Sequence, residues 1–271
     1  MDAAGRWASQ LEAWAIPQHL LDAVPDSPYT WPVELWRRMQ RDERTGATAT
    51  LRVVLGMLGD QGTLLDVGGG TGRASLPAAA AGHPLTAVEP SPEMAEGLRS
   101  EAERLGVAVR VIEDSWPEAA DAVGGHDVVL SANVVYGVAR IGPFLAALHA
   151  RARRGVVVEL SPRHPRANLA PYFRALHGLD RPDGPTAELF VEVVAETLGV
   201  EPAVEVWSRP SVMRFADLQE LLDLYRRRLV LPAERSGELA DLLEPEIRDE
   251  GGWLTVGAPE RPSCTVWWRS G

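Results

Sequence analysis

The sequence predicts an α/β fold, a parallel sheet covered by helices on both faces, and three observations carry that expectation. From about Gly62 onward, short apolar runs alternate with helix-like stretches. Most of the runs are nearly continuous in Val, Leu and Ile, as strands buried on both faces are. The first run leads straight into a glycine-rich turn and then a helical pattern, LLDVGGGTGRA from Leu64 to Ala74.

The expected strands are Thr63 to Val67, Leu85 to Val88, Val107 to Ile112, Asp127 to Ser131 and Val156 to Leu160, followed by Ala203 to Trp207 and Thr265 to Trp268. Between the second and third, Ser91 as N-cap, Pro92 at the first helical position, Glu93 in the first turn and Gly106 as stop mark a helix. Its stripe of Met94, Leu98, Ala102 and Leu105 is expected to face the sheet. A helix from near Ile141 to Arg154 ends in RARRG, three arginines that suit a helix C-terminus. A further helix runs from Thr186 to Leu198, with Gly199 as stop.

Two segments lie outside this rhythm. Residues 1–60 read as helices rich in tryptophan (Trp7, Trp14, Trp31, Trp36) and broken by prolines, an extension expected to cover a substrate. The core then occupies 61–271, with a helical insert at about 209–252 carrying two helical patterns, Phe215 to Leu229 and one around Leu239 to Leu243. The aromatics of the extension suit either a cover over an apolar acceptor or plain packing onto the core.

Charge and composition narrow the function classes. The 271 residues are 45% hydrophobic and 24% charged, as in a globular domain, and the formal net charge of -11 repels a polyphosphate backbone, which favours small-molecule partners over nucleic acid. The single cysteine, Cys264, can form no internal disulfide and fits a reducing compartment. No apolar segment approaches membrane-spanning length and the N-terminus lacks a signal-peptide block, so a cytoplasmic location is expected. No spacing of His, Cys, Asp or Glu reads as a metal site, and none is expected.

The glycine turn is the most specific feature. Gly68, Gly70 and Gly72 alternate, letting the backbone turn sharply and approach a ligand, with Gly69 between them. A dinucleotide fingerprint would need a third glycine at Arg73 or Ser75 and fails. Asp66, two residues before Gly68, suits a ligand carrying an ammonium and a sulfonium better than a diphosphate. Glu89, followed by Pro90, ends the second strand where a carboxylate can accept both hydroxyls of a ribose. At the third strand end, Asp114 could accept an adenine amino proton beside Ser115, and Trp116 offers an apolar face.

These motifs, in this order, resemble the class I S-adenosylmethionine-dependent methyltransferases across roughly Gly62 to Leu160. LLDVGGGTG resembles the family's acidic glycine loop, TAVEPSPEM its second acidic motif and IEDSW its adenine-site motif. The resemblance implies a Rossmann-like seven-stranded sheet, mostly parallel with the last strand antiparallel. It also implies that Asp66 and the Gly68 to Gly72 loop hold the methionine moiety, Glu89 the ribose, and Asp114 to Trp116 the adenine. The fourth strand runs into ANVVYG, which puts Asn133 and Tyr136 beside the expected sulfonium; Val134 and Val135 replace the paired prolines of some nitrogen-directed members, so an amine-methylating role is not carried over.

The expected function is in-line methyl transfer from S-adenosylmethionine to a small-molecule acceptor, at oxygen or nitrogen, releasing S-adenosylhomocysteine. If the nucleophile is a hydroxyl, His164 in SPRHP is the candidate base, with Glu159 a second; Tyr136, His164 and Trp31 are candidate acceptor contacts. The rival readings are an RNA or protein methyltransferase, through Arg37-Arg38 and Arg226 to Arg228, and a protein that binds the cofactor without catalysis.

Overall fold

A computed structural model of the chain describes all residues except 26, 30, 31, 33, 34, 36, 37 and 40–47. Its main sheet has seven strands: β1 (Leu64–Val67), β2 (Leu85–Val88), β3 (Val109–Ile112), β4 (His126–Ala132), β5 (Ala152–Leu160), β6 (Ala203–Pro210) and β9 (Glu260–Arg269). Their order across the sheet is β3-β2-β1-β4-β5-β9-β6. Only β9 runs antiparallel to its neighbours β5 and β6. Sequence order reverses direction between β1 and β4, which opens a crevice above their carboxyl ends, the place where such sheets bind ligands.

Two apolar layers sandwich the sheet. On one face α3 (Ala49–Leu58), α4 (Leu76–Ala80) and α5 (Pro92–Leu105) contribute Val54, Leu58, Leu76 and Ala102 against Leu64, Leu130 and Val157. On the other, α1 (Ala3–Glu12), α6 (Ile141–Arg151) and α8 (Ala187–Leu198) bring Trp7, Phe144, Leu148, Phe190 and Val194 onto Leu65, Val129 and Val158. Trp7 is fully buried, stacks on Tyr136 with ring centroids 5.5 Å apart, and donates from Nε1 to the Val138 carbonyl at 3.0 Å. This N-terminal tryptophan is therefore packing. A third apolar cluster, separate from the sheet, joins Ile16, Leu35 and Met39 to α7 (Ala170–His177), α9 (Leu218–Arg228) and α10 (Ser236–Leu243).

Local chemistry explains both the agreements and the departures. Ser91 accepts from the Met94 N–H at 3.4 Å and Gly106 ends α5 in the left-handed region at φ 68°. Along α5 the buried stripe is Ala95, Leu98 and Ala102, whereas Leu105 is 40% exposed, because the helix ends there as the chain turns toward β3. The helix after the glycine turn starts only at Leu76, beyond the Leu64 to Ala74 motif. Gly72 at φ 84° cannot be helical, and the chain first closes a turn from the Gly72 N–H to the Gly69 carbonyl at 2.9 Å.

The arginine cluster after α6 divides in a way the sequence did not suggest. Only Arg151 lies in that helix; Arg153 and Arg154 are on β5. Arg154 donates to the Leu58 carbonyl at 2.6 Å and lies 3.2 Å from Asp127, so its charge serves the carboxyl end of α3 instead. The insert, expected to be helical, also contains a hairpin of β7 (Ile247–Asp249) and β8 (Leu254–Val256), with Leu254 bridged to Phe215. No helix among the described residues is long and apolar enough to cross a membrane.

Phe190 lies fully buried in α8, whereas Val206 on edge strand β6 is 66% exposed. Phe190→Ala is expected to lower unfolding free energy by about 3 to 5 kcal/mol, and Val206→Ala by less than about 0.5 kcal/mol. Urea denaturation of both variants measures the contrast.

Candidate active site

Asp66 lies within β1 opposite Ala87 on one side and Leu130 on the other. It is 1% exposed, and neither carboxylate oxygen has a sound hydrogen-bond partner among the described residues. Burial pushes its pKa up to about 6; the nearby Ser75 hydroxyl and the Arg73 guanidinium pull it down only in part, and Glu89 and Glu159 add to the rise.

Above Asp66 the glycine turn is packed too closely for side chains at two positions. A Cβ on Gly68, at φ 71°, would lie 2.4 Å from Cγ2 of Val134, and one on Gly72 would lie 2.6 Å from Cδ1 of Leu76. The loop after β4 therefore rests on the turn through Val134. Glu89 braces the same turn from β2: its Oε2 accepts from the Gly70 N–H at 2.8 Å and its Oε1 from the Ser91 N–H at 2.9 Å.

A cavity of about 290 Å³ opens beside the turn. It brings together Gly68, Glu89, Pro90, Asp114, Ser115 and Trp116, with Val134, Val138 and Phe144 as its apolar wall. Trp116 is held by its Nε1, which donates to the Phe144 carbonyl at 3.3 Å. The acids of β2 and β3 thus face one space, while Asp66 lies below it and Gly69, Gly70 and Gly72 form its neighbouring turn. The orphaned buried carboxylate, and glycines that any Cβ would crowd, fit a ligand bearing positive charge against a closely approached backbone.

Glu159 and Asn133 belong to a second group at the ends of β5 and β4. Glu159 is fully buried, and its Oε1 accepts from Arg73 at 2.6 Å and Asn133 Nδ2 at 3.1 Å, with Arg209 at 3.4 Å. Its Oε2 accepts from the Thr50 hydroxyl at 2.7 Å. Burial alone would raise its pKa, yet Arg73 and Arg209 outweigh burial and hold it below the usual carboxylate range. A carboxylate with both oxygens committed is poorly suited to take a proton. Asn133 is fixed in the left-handed region at φ 61°, its N–H donating to the Glu159 carbonyl at 2.8 Å.

His164 is 9% exposed and lies flat on Trp14, centroids 4.3 Å apart, with Tyr136 edge-on at 5.5 Å. Its Nδ1 accepts from the Arg166 N–H at 3.2 Å, which places the proton of the neutral ring on Nε2. Burial and the Arg166 charge lower its pKa to about 4. The Tyr136 hydroxyl donates to the Ser161 carbonyl at 2.6 Å, and burial raises its pKa. Trp31 lies outside the described residues. Among the described residues no group of three or more His, Cys, Asp or Glu side chains gathers as a metal site would.

Sequence reasoning missed Arg73 as the partner of Glu159 and Trp14 as the partner of His164. The first pair is separated by 86 residues, and no local pattern marks it. The signal for Trp14 was its place in a tryptophan-rich extension, where packing and ligand contact look alike.

The raised pKa of Asp66 has a defined sign. The native state holds this proton more tightly than the unfolded chain, so stability present near pH 4 is lost as pH rises through about 6. Asp66→Asn is accordingly expected to exceed the ligand-free wild type in stability by on the order of 2 kcal/mol at pH 8, the advantage shrinking toward pH 4. Chemical denaturation of both proteins across that range measures it.

Comparison with known proteins agrees with this geometry. Residues 64–163 match the family model described as a methyltransferase domain. Two curated relatives are named ubiquinone biosynthesis O-methyltransferase. The one from Azorhizobium caulinodans is 39% identical over 82 residues, 30% of this chain and 32% of that protein. The one from Paramagnetospirillum magneticum is 40% identical over 97 residues, 35% and 38% respectively. The aligned part of the chain thus spans about a third of each relative's length. A Bacillus halodurans protein described as a candidate methyltransferase shares the fold at TM-score 0.55 and 12% identity, over 83% of this chain and 99% of that one. A candidate sarcosine dimethylglycine methyltransferase from Galdieria sulphuraria does so at TM-score 0.51 and 14% identity, over 93% and 96%. Residues 64–163 thus resemble a methyltransferase domain, and the chain as a whole has the fold of the two solved structures.

Proposed function

We propose that this chain transfers a methyl group from S-adenosylmethionine to a small-molecule acceptor. The observation that carries this reading is the unpartnered carboxylate of Asp66, buried beneath a glycine turn that opens on the cavity shared by Glu89 and Asp114. The acceptor is held under a cover made by the third apolar cluster. The names of the curated relatives, which assign O-methylation in ubiquinone biosynthesis to those proteins, support a small acceptor, as does the net charge of -11.

Bound in this site, the cofactor supplies an electrophilic methyl group on a good leaving group, S-adenosylhomocysteine, so the protein's part is alignment and the exclusion of water. Asp66 and the turn from Gly68 through Gly69 and Gly70 to Gly72 hold the methionine end, with Asn133 fixed beside it. Glu89, braced by the Gly70 and Ser91 N–H groups, takes the ribose hydroxyls, with Pro90 shaping the strand end. Asp114 and Ser115 receive the adenine edge and Trp116 its face. On the acceptor side, Tyr136 offers its ring, because its hydroxyl is committed to Ser161. His164 is neutral at pH 7 and carries its proton on Nε2. We assign it hydrogen-bond donation to the acceptor rather than proton abstraction.

Asp66→Ala and Glu89→Ala are each expected to weaken S-adenosylhomocysteine binding by about 1 to 3 kcal/mol, read by titration calorimetry on folded variants. Unchanged affinity in both contradicts the cofactor site. Tight binding without transfer to any of a panel of phenols, amines and carboxylates would return the chain to a binding role.

A further inference from the structure

His164 adjoins a group of arginines whose charges the methyl-transfer reading leaves unused. Arg166, two residues on, lays its guanidinium over the Tyr29 ring at 4.6 Å. Arg228, at the end of α9, donates to the Pro28 carbonyl at 2.9 Å, so both arginines converge on one dipeptide of the N-terminal extension. Arg181 donates to the Ala13 and Ala15 carbonyls at 3.3 and 2.9 Å, bracketing the Trp14 that stacks on His164, and lays its guanidinium over Phe173 at 4.5 Å.

Among the described residues neither Arg166 nor Arg181 has a carboxylate within ion-pair distance. Nε and Nη2 of Arg181 are buried without a hydrogen-bond partner among the described residues. Arg166 repels its neighbours: after burial itself, its charge helps lower Arg181, Arg228 (to about 10) and His164. Like charges held together partly out of water cost free energy that a bound anion returns, and a planar guanidinium matches a carboxylate or phosphate. The site is local, since the chain as a whole carries a net charge of -11.

We propose that Arg166 and Arg181, with Arg228 behind them, form an oxyanion subsite beside His164, so that the acceptor bears a carboxylate or phosphate group. This rests on the methyl-transfer reading, since it names the acceptor class of that same site. The anion anchors one end of the acceptor near Tyr29, and the neutral imidazole of His164 faces the remainder on the way to the Tyr136 ring. Arg166 and Arg181 thus determine specificity and take no part in the transfer itself.

The test uses the full chain saturated with S-adenosylhomocysteine, with benzoate, phenyl phosphate and inorganic phosphate as probes. Calorimetry is expected to show binding of an aryl anion that Arg166→Gln and Arg181→Gln each weaken by about tenfold, the loss of one charge-assisted hydrogen bond. Arg174→Gln, on the outer face of α7, is expected to leave it unchanged. NMR of the His164 ring supplies a second readout: its pKa rises when the anion neutralises Arg166, and rises without any anion in Arg166→Gln. Preference for benzoate or for phenyl phosphate distinguishes a carboxylate from a phosphate acceptor. Should none of the probes bind, or should they bind equally well to the two variants, the subsite is overturned. Retained S-adenosylhomocysteine binding in that case shows that the cofactor reading survives by itself.

Discussion

Asp66 lies buried in the middle of the sheet, only partly offset by Ser75 and Arg73, and the site is arranged around that charge. Glu159, two strands away and equally buried, shows what the sheet does with an acid it means to satisfy. Two arginines, an asparagine and a threonine converge on it, and its pKa falls. Asp66 receives no such set, and its pKa rises to about 6. Two carboxylates in one layer with opposite shifts have different tasks. Glu159 ties the glycine turn, the β4 loop, α3 and β6 into one rim, and Asp66 is the charge that the proposed function sets against a cation.

The rest of the site follows from holding that turn still. Val134 fills the space a Cβ on Gly68 would take, Leu76 that of Gly72, and Glu89 spends both oxygens on backbone N–H groups around the turn. Rigid backbone suits a reaction in which the donor already carries a good leaving group, because a small displacement of the methyl from the line of attack loses rate steeply. The cover proposed for the acceptor is built on an apolar cluster separate from this rim.

Much of the sheet could be read in the sequence because strands such as β1 and β2 are buried on both faces and so appear as unbroken apolar runs. Leu85–Val88 has the expected limits, and the capping signals of Ser91 and Gly106 bound α5 as read. Hydrophobic pattern fails where a charge has a distant partner. RARRG looked like a helix end, but Arg154 belongs to β5 and to the carboxyl end of α3. The hairpin at 247–256 was hidden because strands of three residues are too short to show alternation. Motif spacing brought out the acids and glycines around the cavity, whereas Arg73, Trp14 and the arginines near Tyr29 meet their partners only through tertiary packing.

The most direct test of the central claim is the proton count on cofactor binding. Calorimetric titration with S-adenosylmethionine near pH 6, repeated in buffers of different ionisation enthalpy, reports protons exchanged per site. The account predicts release of a fraction of a proton as the cation converts Asp66 to its charged form, and loss of that release in Asp66→Asn. Proton uptake, or the same exchange in wild type and variant, would contradict it.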